Sequence, residues 1–297
     1  MKIILAATDS KGKNLVFVSN TLKAYSLEEA ISLAKESKLD NICTVARKQG
    51  IHLRTKPKTA KKDQLDTISI SSSALFASLS NINNALSTPA FSNYWKLFQN
   101  SFKKDEPFIV IDSYFYITKK AVREKLKLHR DLIFEAAKKF TIDPYLLGAI
   151  IIDEIARLNP IEEITDLLSI KFIGKNTSVG IAQVKVDTAR ALIKSGYYNP
   201  SPGDEKLSKE NINKTSRAYV YKYIIQPKHN IFLAAARMHS LINEWQKFID
   251  LNDKPEIIAT LYSLEHKIPH FNPKSNERGL QISNEFYQVA KEFLDKP

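Results

Sequence analysis

The chain is short of cysteine, glycine and long apolar runs. Cys43 is its one cysteine, so no internal disulfide can form and no cysteine-rich zinc site can be built. It has eight glycines in 297 residues, and neither a GxGxxG nor a Walker phosphate loop appears. A GxSxG context for a Ser, His, Asp triad is also missing. No stretch approaches the roughly 18 apolar residues of a membrane helix. The amino terminus, Met1-Lys-Ile-Ile-Leu-Ala-Ala-Thr-Asp-Ser10, carries an apolar run too short for the core of a secretory signal. These absences lead us to expect a protein made in the cytoplasm without a signal peptide and without a membrane span. Among the six histidines, His266 and His270 are four residues apart, but Pro269 between them argues against a helical metal pair. Neither a metal nor a cofactor is expected.

What the chain does carry is positive charge. The formal net charge is +12 and the isoelectric point about 9.4. Residues 1–64 hold eleven lysines and two arginines against six acids, a net of +7. Besides keeping a protein soluble, such a surplus suits polyanions: nucleic acid, anionic membrane surfaces or cell-wall polymers. No helix-turn-helix, zinc or RNA-binding motif accompanies it, so nucleic acid is not the expected partner.

Residues 1–62 read as a small α+β unit of order ββαββ. Ile3–Ala7 and Leu15–Val18 alternate like strands around Gly12, and Ile42–Ala46 and Ile51–Arg54 like a hairpin around Gln49-Gly50. Between them Ser26–Lys38 reads as an amphipathic helix, with Ser26 and Glu29 spaced as a capping box. Residues 63–105 read as a Ser/Lys-rich linker followed by a packing helix bearing Trp95, Phe98 and Phe102. Residues 106–297 hold a strand at Phe108–Ile111, and from Lys119 on helical periodicity dominates. The expected helices are 119–139, 144–158, 183–195, 216–224, 229–249, 255–264 and 280–295. The expected class is mainly α, with a small N-terminal α+β domain.

One carboxylate is out of place. In Asp143-Pro-Tyr-Leu-Leu-Gly-Ala-Ile-Ile-Ile-Asp-Glu-Ile-Ala-Arg-Leu158, Asp153 pairs with Arg157 at helical i, i+4 spacing and can face water. Glu154 lies about 100° further round, on the side of Ile150, Ile151 and Leu158. Desolvation disfavours the charged form and raises a carboxyl pKa. A carboxylic acid that keeps its proton near neutrality is what glycoside cleavage requires of a general acid. The plainer reading is a solvated helix carboxylate.

Four blocks then follow in order: Asp143–Glu154; Asn176-Thr-Ser-Val-Gly-Ile-Ala-Gln183; Pro227-Lys-His-Asn-Ile-Phe-Leu-Ala-Ala-Ala-Arg237; and Ile257-Ile-Ala-Thr-Leu-Tyr-Ser263. Together they resemble the lysozyme-like superfamily of goose-type lysozymes and soluble lytic transglycosylases. Those families carry "DP.LL.A" ahead of the catalytic Glu, then "S.GLMQ", "NI..G/A" and "AYN.G". The resemblance covers about three-fifths of the chain. It departs at Ile155, where transglycosylases place Ser, and at Ser263, where they place Asn. It implies a lysozyme-like helical domain in which Glu154 protonates the bond between N-acetylmuramic acid and N-acetylglucosamine in peptidoglycan.

The same resemblance makes Ser178, Gly180, Gln183 and Tyr262 candidates for substrate binding. Gly180 offers a flexible backbone at a helix start, Gln183 an amide for sugar groups, and Tyr262 a hydroxyl for the Glu154 carboxyl or a sugar. An ordinary surface Gln and a core Tyr are the structural alternatives. Asn230 and Ile231 read as helix-docking residues. A second carboxylate is sought among Glu163 and Asp166, and also Glu162. Residues 1–62, with Tyr25–Ile31 and His52-Leu-Arg-Thr-Lys-Pro57, resemble a small bacterial domain of unknown function that closes on a "YLRT…D" segment.

The expected function is a muramidase. The alternatives are a lytic transglycosylase giving 1,6-anhydro ends, or an inactive lysozyme-like module that binds glycan or protein. Without a signal, such an enzyme reaches the cell wall by another route, as a phage lysin or an antibacterial effector does. Its partners would be glycan strands, a delivery machinery, and an inhibitor or immunity protein.

Overall fold

The computed structural model describes residues 1–47, 50–78, 88–101, 107–111, 115–158, 164, 167–168, 176, 178–264 and 268–295. Two compact units divide the chain, one dominated by residues 1–107 and one by 116–157 and 173–297.

The first unit is built on a four-stranded sheet. Strands β1 (Ile3–Thr8), β2 (Asn14–Ser19) and β3 (Ala24–Ser26) pair antiparallel in sequence, and β6 (Ser69–Ser71) joins the other edge of β1 in parallel. Helix α1 (Leu27–Lys35) starts on the expected capping box. Ser26 Oγ accepts from Glu29 N at 3.2 Å and Glu29 Oε2 accepts from Ser26 N at 2.7 Å. Its Ala30 and Ala34 join Ile3, Ala6, Phe17, Leu39 and Ile42 in one apolar core. Strands β4 (Ile42–Arg47) and β5 (Gly50–Thr55) form a separate hairpin.

Segment 63–105, where it is described, belongs to this unit instead of forming a separate linker. It supplies β6, helix α2 (Ser72–Ser78) and helix α3 (Pro89–Ser101), which packs on β1 and β6. The buried Asn41 ties its start down, with Nδ2 donating to Ile3 O and Asp63 O, both at 2.9 Å. Phe91, Tyr94, Trp95 and Phe98 of α3 are buried, as a packing helix requires. Phe102 lies outside the described residues.

Beyond a two-stranded pair, β7 (Pro107–Ile111) and β8 (Phe115–Thr118), the second unit is mainly helical, as its periodicity leads one to expect. It contains α4 (Lys119–Phe140), α5 (Pro144–Leu158), α6 (Val186–Lys194), α7 (Arg217–Ile224), α8 (Pro227–Trp245), α9 (Pro255–Ser263), α10 (Glu277–Gln281) and α11 (Tyr287–Asp295). One π-helical turn, Ile282–Phe286, joins the last two. A hairpin of β9 (Ser178–Val179) and β10 (Val184–Lys185) precedes α6. The helix expected from residue 183 therefore begins three residues later.

Helix α5 lies at the core. Asp143 caps it, with Oδ1 accepting from Tyr145 N at 2.8 Å, and Pro144 fills a first-turn position where no N–H is needed. Leu146, Leu147 and Ala149 through Ile152 are all buried. Each of the large apolar side chains contributes roughly 1.5–3 kcal/mol, enough to hold the helix while its C-terminal turn carries two carboxylates. Among the described residues no helix is long and apolar enough to cross a membrane.

Candidate active site

The last two turns of α5 present Asp153, Glu154 and Arg157. Asp153 does not face water. It is fully buried, with Oδ1 accepting from Arg157 Nε at 2.9 Å and Oδ2 from Arg278 Nε at 2.7 Å. The i, i+4 pair holds as expected, but α10 covers it from a part of the chain more than a hundred residues away. Arg278 Nη2 also reaches Glu154 Oε1 at 2.8 Å. Two carboxylates and two guanidinium groups thus form one chain of charge-assisted hydrogen bonds.

Of the two carboxylates in this chain, Glu154 is the one turned to a cavity. Its side chain retains 16 % of its exposure, against 1 % for Asp153. Burial is the largest influence on its carboxyl and raises the pKa. Arg278 opposes this, the charge of Asp153 adds to it, and the carboxyl is pushed up to about 7. Near neutrality a substantial fraction therefore remains protonated, which is the state a proton donor needs.

Arg278 is placed by tight packing between α9 and α10. Asn276 caps α10, its Oδ1 accepting from Gly279 N at 2.7 Å, and its own N–H donates to Thr260 Oγ1 at 3.1 Å. A Cβ on Gly279 would stand 2.0 Å from Thr260 Oγ1 and 2.5 Å from Glu256 O. Only glycine allows the close approach that brings Arg278 onto α5.

Opposite Glu154 stands the β9–β10 hairpin. Gly180 is not at a helix start. It sits in the hairpin turn at φ +74, where Gln183 N bonds back to Gly180 O at 2.9 Å. A Cβ at residue 180 would come within 2.6 Å of the Asn230 amide. Glycine serves there both for its left-handed backbone and for that approach. Asn230, wholly buried on α8, donates through Nδ2 to Val179 O and Ile224 O, each at 2.8 Å, and accepts from Ala182 N at 2.7 Å. The docking role read for Asn230 is thus a clamp on the turn.

Tyr262 holds the turn from α9, its hydroxyl donating to Ala182 O at 3.2 Å, and burial raises its pKa. The hydroxyl is bonded to the turn, not to Glu154. Gln183 donates to Gly180 O at 2.7 Å through Nε2. A Gln amide has a second N–H and a carbonyl oxygen beyond that bond.

The cavity between these walls measures about 230 Å³, and Glu154, Ser178, Gln183, Lys185, Thr188, Arg237, Tyr262, Ser263 and Arg278 line much of it. One water needs roughly 10–15 Å³ by such a measure, so the space admits a ligand group. Of the residues proposed from sequence, Glu154, Ser178, Gln183 and Tyr262 meet here, while Gly180 shapes the turn behind. Glu163, Asp166 and Glu162 lie outside the described residues, as does His266. Sequence reasoning missed Arg278, Arg237 and Lys185. The tyrosines at 219 and 223 both donate to Asp204 Oδ2, at 2.7 and 2.8 Å, and so anchor a loop. No family model and no curated protein matches the chain.

Proposed function

We propose that the second unit is a lysozyme-like glycosidase that cleaves the β-1,4 link after N-acetylmuramic acid in peptidoglycan, with Glu154 as general acid. The observation that carries this reading is a carboxyl on an apolar helix, turned to a polar cavity and, among the described residues, bonded on one oxygen to Arg278, where burial pushes its pKa up to about 7. Protonated Glu154 donates to the glycosidic oxygen as the bond to the anomeric carbon breaks. The carboxylate left behind is steadied by Arg278. It then takes a proton from the attacking water, which restores the acid.

Among the described lining residues Glu154 is the one carboxylate. A second reading on the same residues, a lytic transglycosylase, needs no further carboxylate than this one. There the substrate's own N-acetyl group and the 6-hydroxyl of the muramic residue do the work of a second protein group, giving 1,6-anhydro ends. Both readings are tested by incubating purified peptidoglycan with the wild type and Glu154→Gln. Release of soluble glycan by the wild type alone is expected, with reducing or 1,6-anhydro ends in the mass spectrum deciding between hydrolysis and transglycosylation. Equal release by the two proteins would remove Glu154 from the chemistry. Tight glycan binding without cleavage by the wild type would leave a binding module in its place.

A further inference from the structure

The reaction proposed needs one acid, yet the cavity beside Glu154 also carries Lys185, Arg237 and Arg278. A neutral amino sugar has no need of three cations. Arg278 is engaged with Asp153 and Glu154. Arg237 is held differently. Its Nη1 stands 3.3 Å from Ser240 Oγ and 3.4 Å from Glu244 Oε1, long for charge-assisted bonds, which run nearer 2.7–2.9 Å. A guanidinium has five N–H donors in a fork that matches a carboxylate.

Its position is specific too. Arg237, Lys185 and Thr188 line not only the cavity at Glu154 but also a second one of about 140 Å³, walled further by Asn176, Tyr197 and Glu244. These three side chains are a wall common to the two cavities. Lys185 is fixed opposite Ser178 in the β9–β10 ladder. Arg237 rises from the part of α8 where Ala234, Ala235, Ala236 and Met238 are buried. Both side chains therefore come from well-anchored backbone.

We propose that Arg237 and Lys185 form a subsite for a carboxylate on the sugar next to the scissile bond, so that the preferred substrate is a glycan whose muramic lactyl carboxylates are free. The inference rests on the glycan-cleaving reading above. The lactyl ether stands two carbons from the anomeric carbon. When a stem peptide is attached, its carboxyl is an amide and carries no charge. A strand with free lactyl carboxylates is the product of amide hydrolysis that strips the peptides. The reaction supplying this substrate is accordingly an amidase-type cleavage, and this protein acts after it.

The Glu154→Gln protein, in which turnover is expected to be abolished, is titrated by calorimetry with four disaccharides. These are the N-acetylglucosamine–N-acetylmuramic acid unit with its carboxylate free, the same unit with the carboxylate coupled to alanine amide, the neutral di-N-acetylchitobiose, and a disaccharide bearing a uronate. The free muramic carboxylate is expected to bind about tenfold more tightly than its amide, as charge-assisted bonding to an arginine implies. That preference is expected to shrink with added salt and to disappear in Arg237→Gln. Lys185→Gln, on a partly exposed strand, provides a second variant should the first fail to fold. Equal or tighter binding of the amide overturns the inference while leaving the glycan reading in place, as does a preference that survives both substitutions. Tighter binding of the uronate overturns the assignment to muramic acid. Binding of none of the four overturns the glycan reading and this inference together.

Discussion

The environment of Glu154 has a consequence for stability that does not depend on any substrate. Its carboxyl titrates near 4.5 when unperturbed and at about 7 in the fold. Because the folded value is raised, the contribution of the protonated acid is complete below pH 4.5 and is lost as the pH rises through about 7. Each pH unit in that window is worth about 1.4 kcal/mol, so ionising Glu154 costs the fold about 3 kcal/mol. Glu154→Gln keeps the shape and the oxygen that faces Arg278 but cannot ionise. Relative to the wild type it is expected to gain about 3 kcal/mol between roughly pH 4 and pH 8.5. Urea unfolding of both proteins at the two pH values measures this directly. A difference between them that stays constant with pH would mean that Glu154 ionises like a surface carboxylate, and the reasoning that makes it a proton donor would fail.

Other substitutions probe what holds the site. Arg278→Gln removes the cation that pulls the Glu154 pKa down, so a carbon-detected NMR titration is expected to place the Glu154 midpoint above that of the wild type. The same variant is expected to lose about 3–5 kcal/mol in urea unfolding, since breaking a buried pair leaves a charge uncompensated. An unchanged midpoint would refute the coupling between the two. Gly279→Ala drives a methyl into Thr260 and is expected to cost about 1–3 kcal/mol of stability and to weaken the Arg278 contact, while Gly203→Ala, where nothing crowds the added carbon, serves as the control. Asn230→Ala strands Ala182 N and two carbonyls. It is expected to cost about 2–4 kcal/mol, since each buried group left unsatisfied costs roughly 1–3 kcal/mol, and to raise amide exchange in residues 179–184 above that in α4.

Local physics was legible in the sequence where a short segment determines its own structure. The capping box at Ser26 and Glu29, the Asp143-Pro144 start of α5 and the apolar stripe of α3 each announce an element from neighbouring residues alone. The strand β6 was hidden because Ser69–Ser71 has almost no apolar alternation and takes its conformation from pairing with β1. The burial of Asp153 was hidden for a related reason. Helical spacing gives its bond to Arg157, but its second partner, Arg278, lies 125 residues away. The sequence did hold one cue, since Asn276 and Glu277 form a helix start that extends the last helical segment back to Arg278. Helical periodicity runs from residues 186–194 back to Gln183, whereas Asn230 and Gly180 lock Gln183 into a left-handed turn at φ +46. Helical propensity yields there to buried hydrogen bonds that only the tertiary fold supplies.

The central claim is that Glu154, protonated near neutrality, drives cleavage of the glycan. It is tested most directly by the pH dependence of kcat/KM for glycan release from peptidoglycan, followed from about pH 5 to about pH 9. The account expects a rate that falls above about 7 as the free enzyme loses the Glu154 proton, with no activity in Glu154→Gln at any pH. A rate that stays level or rises across that range, or a Glu154→Gln protein that retains the wild-type profile, would contradict it.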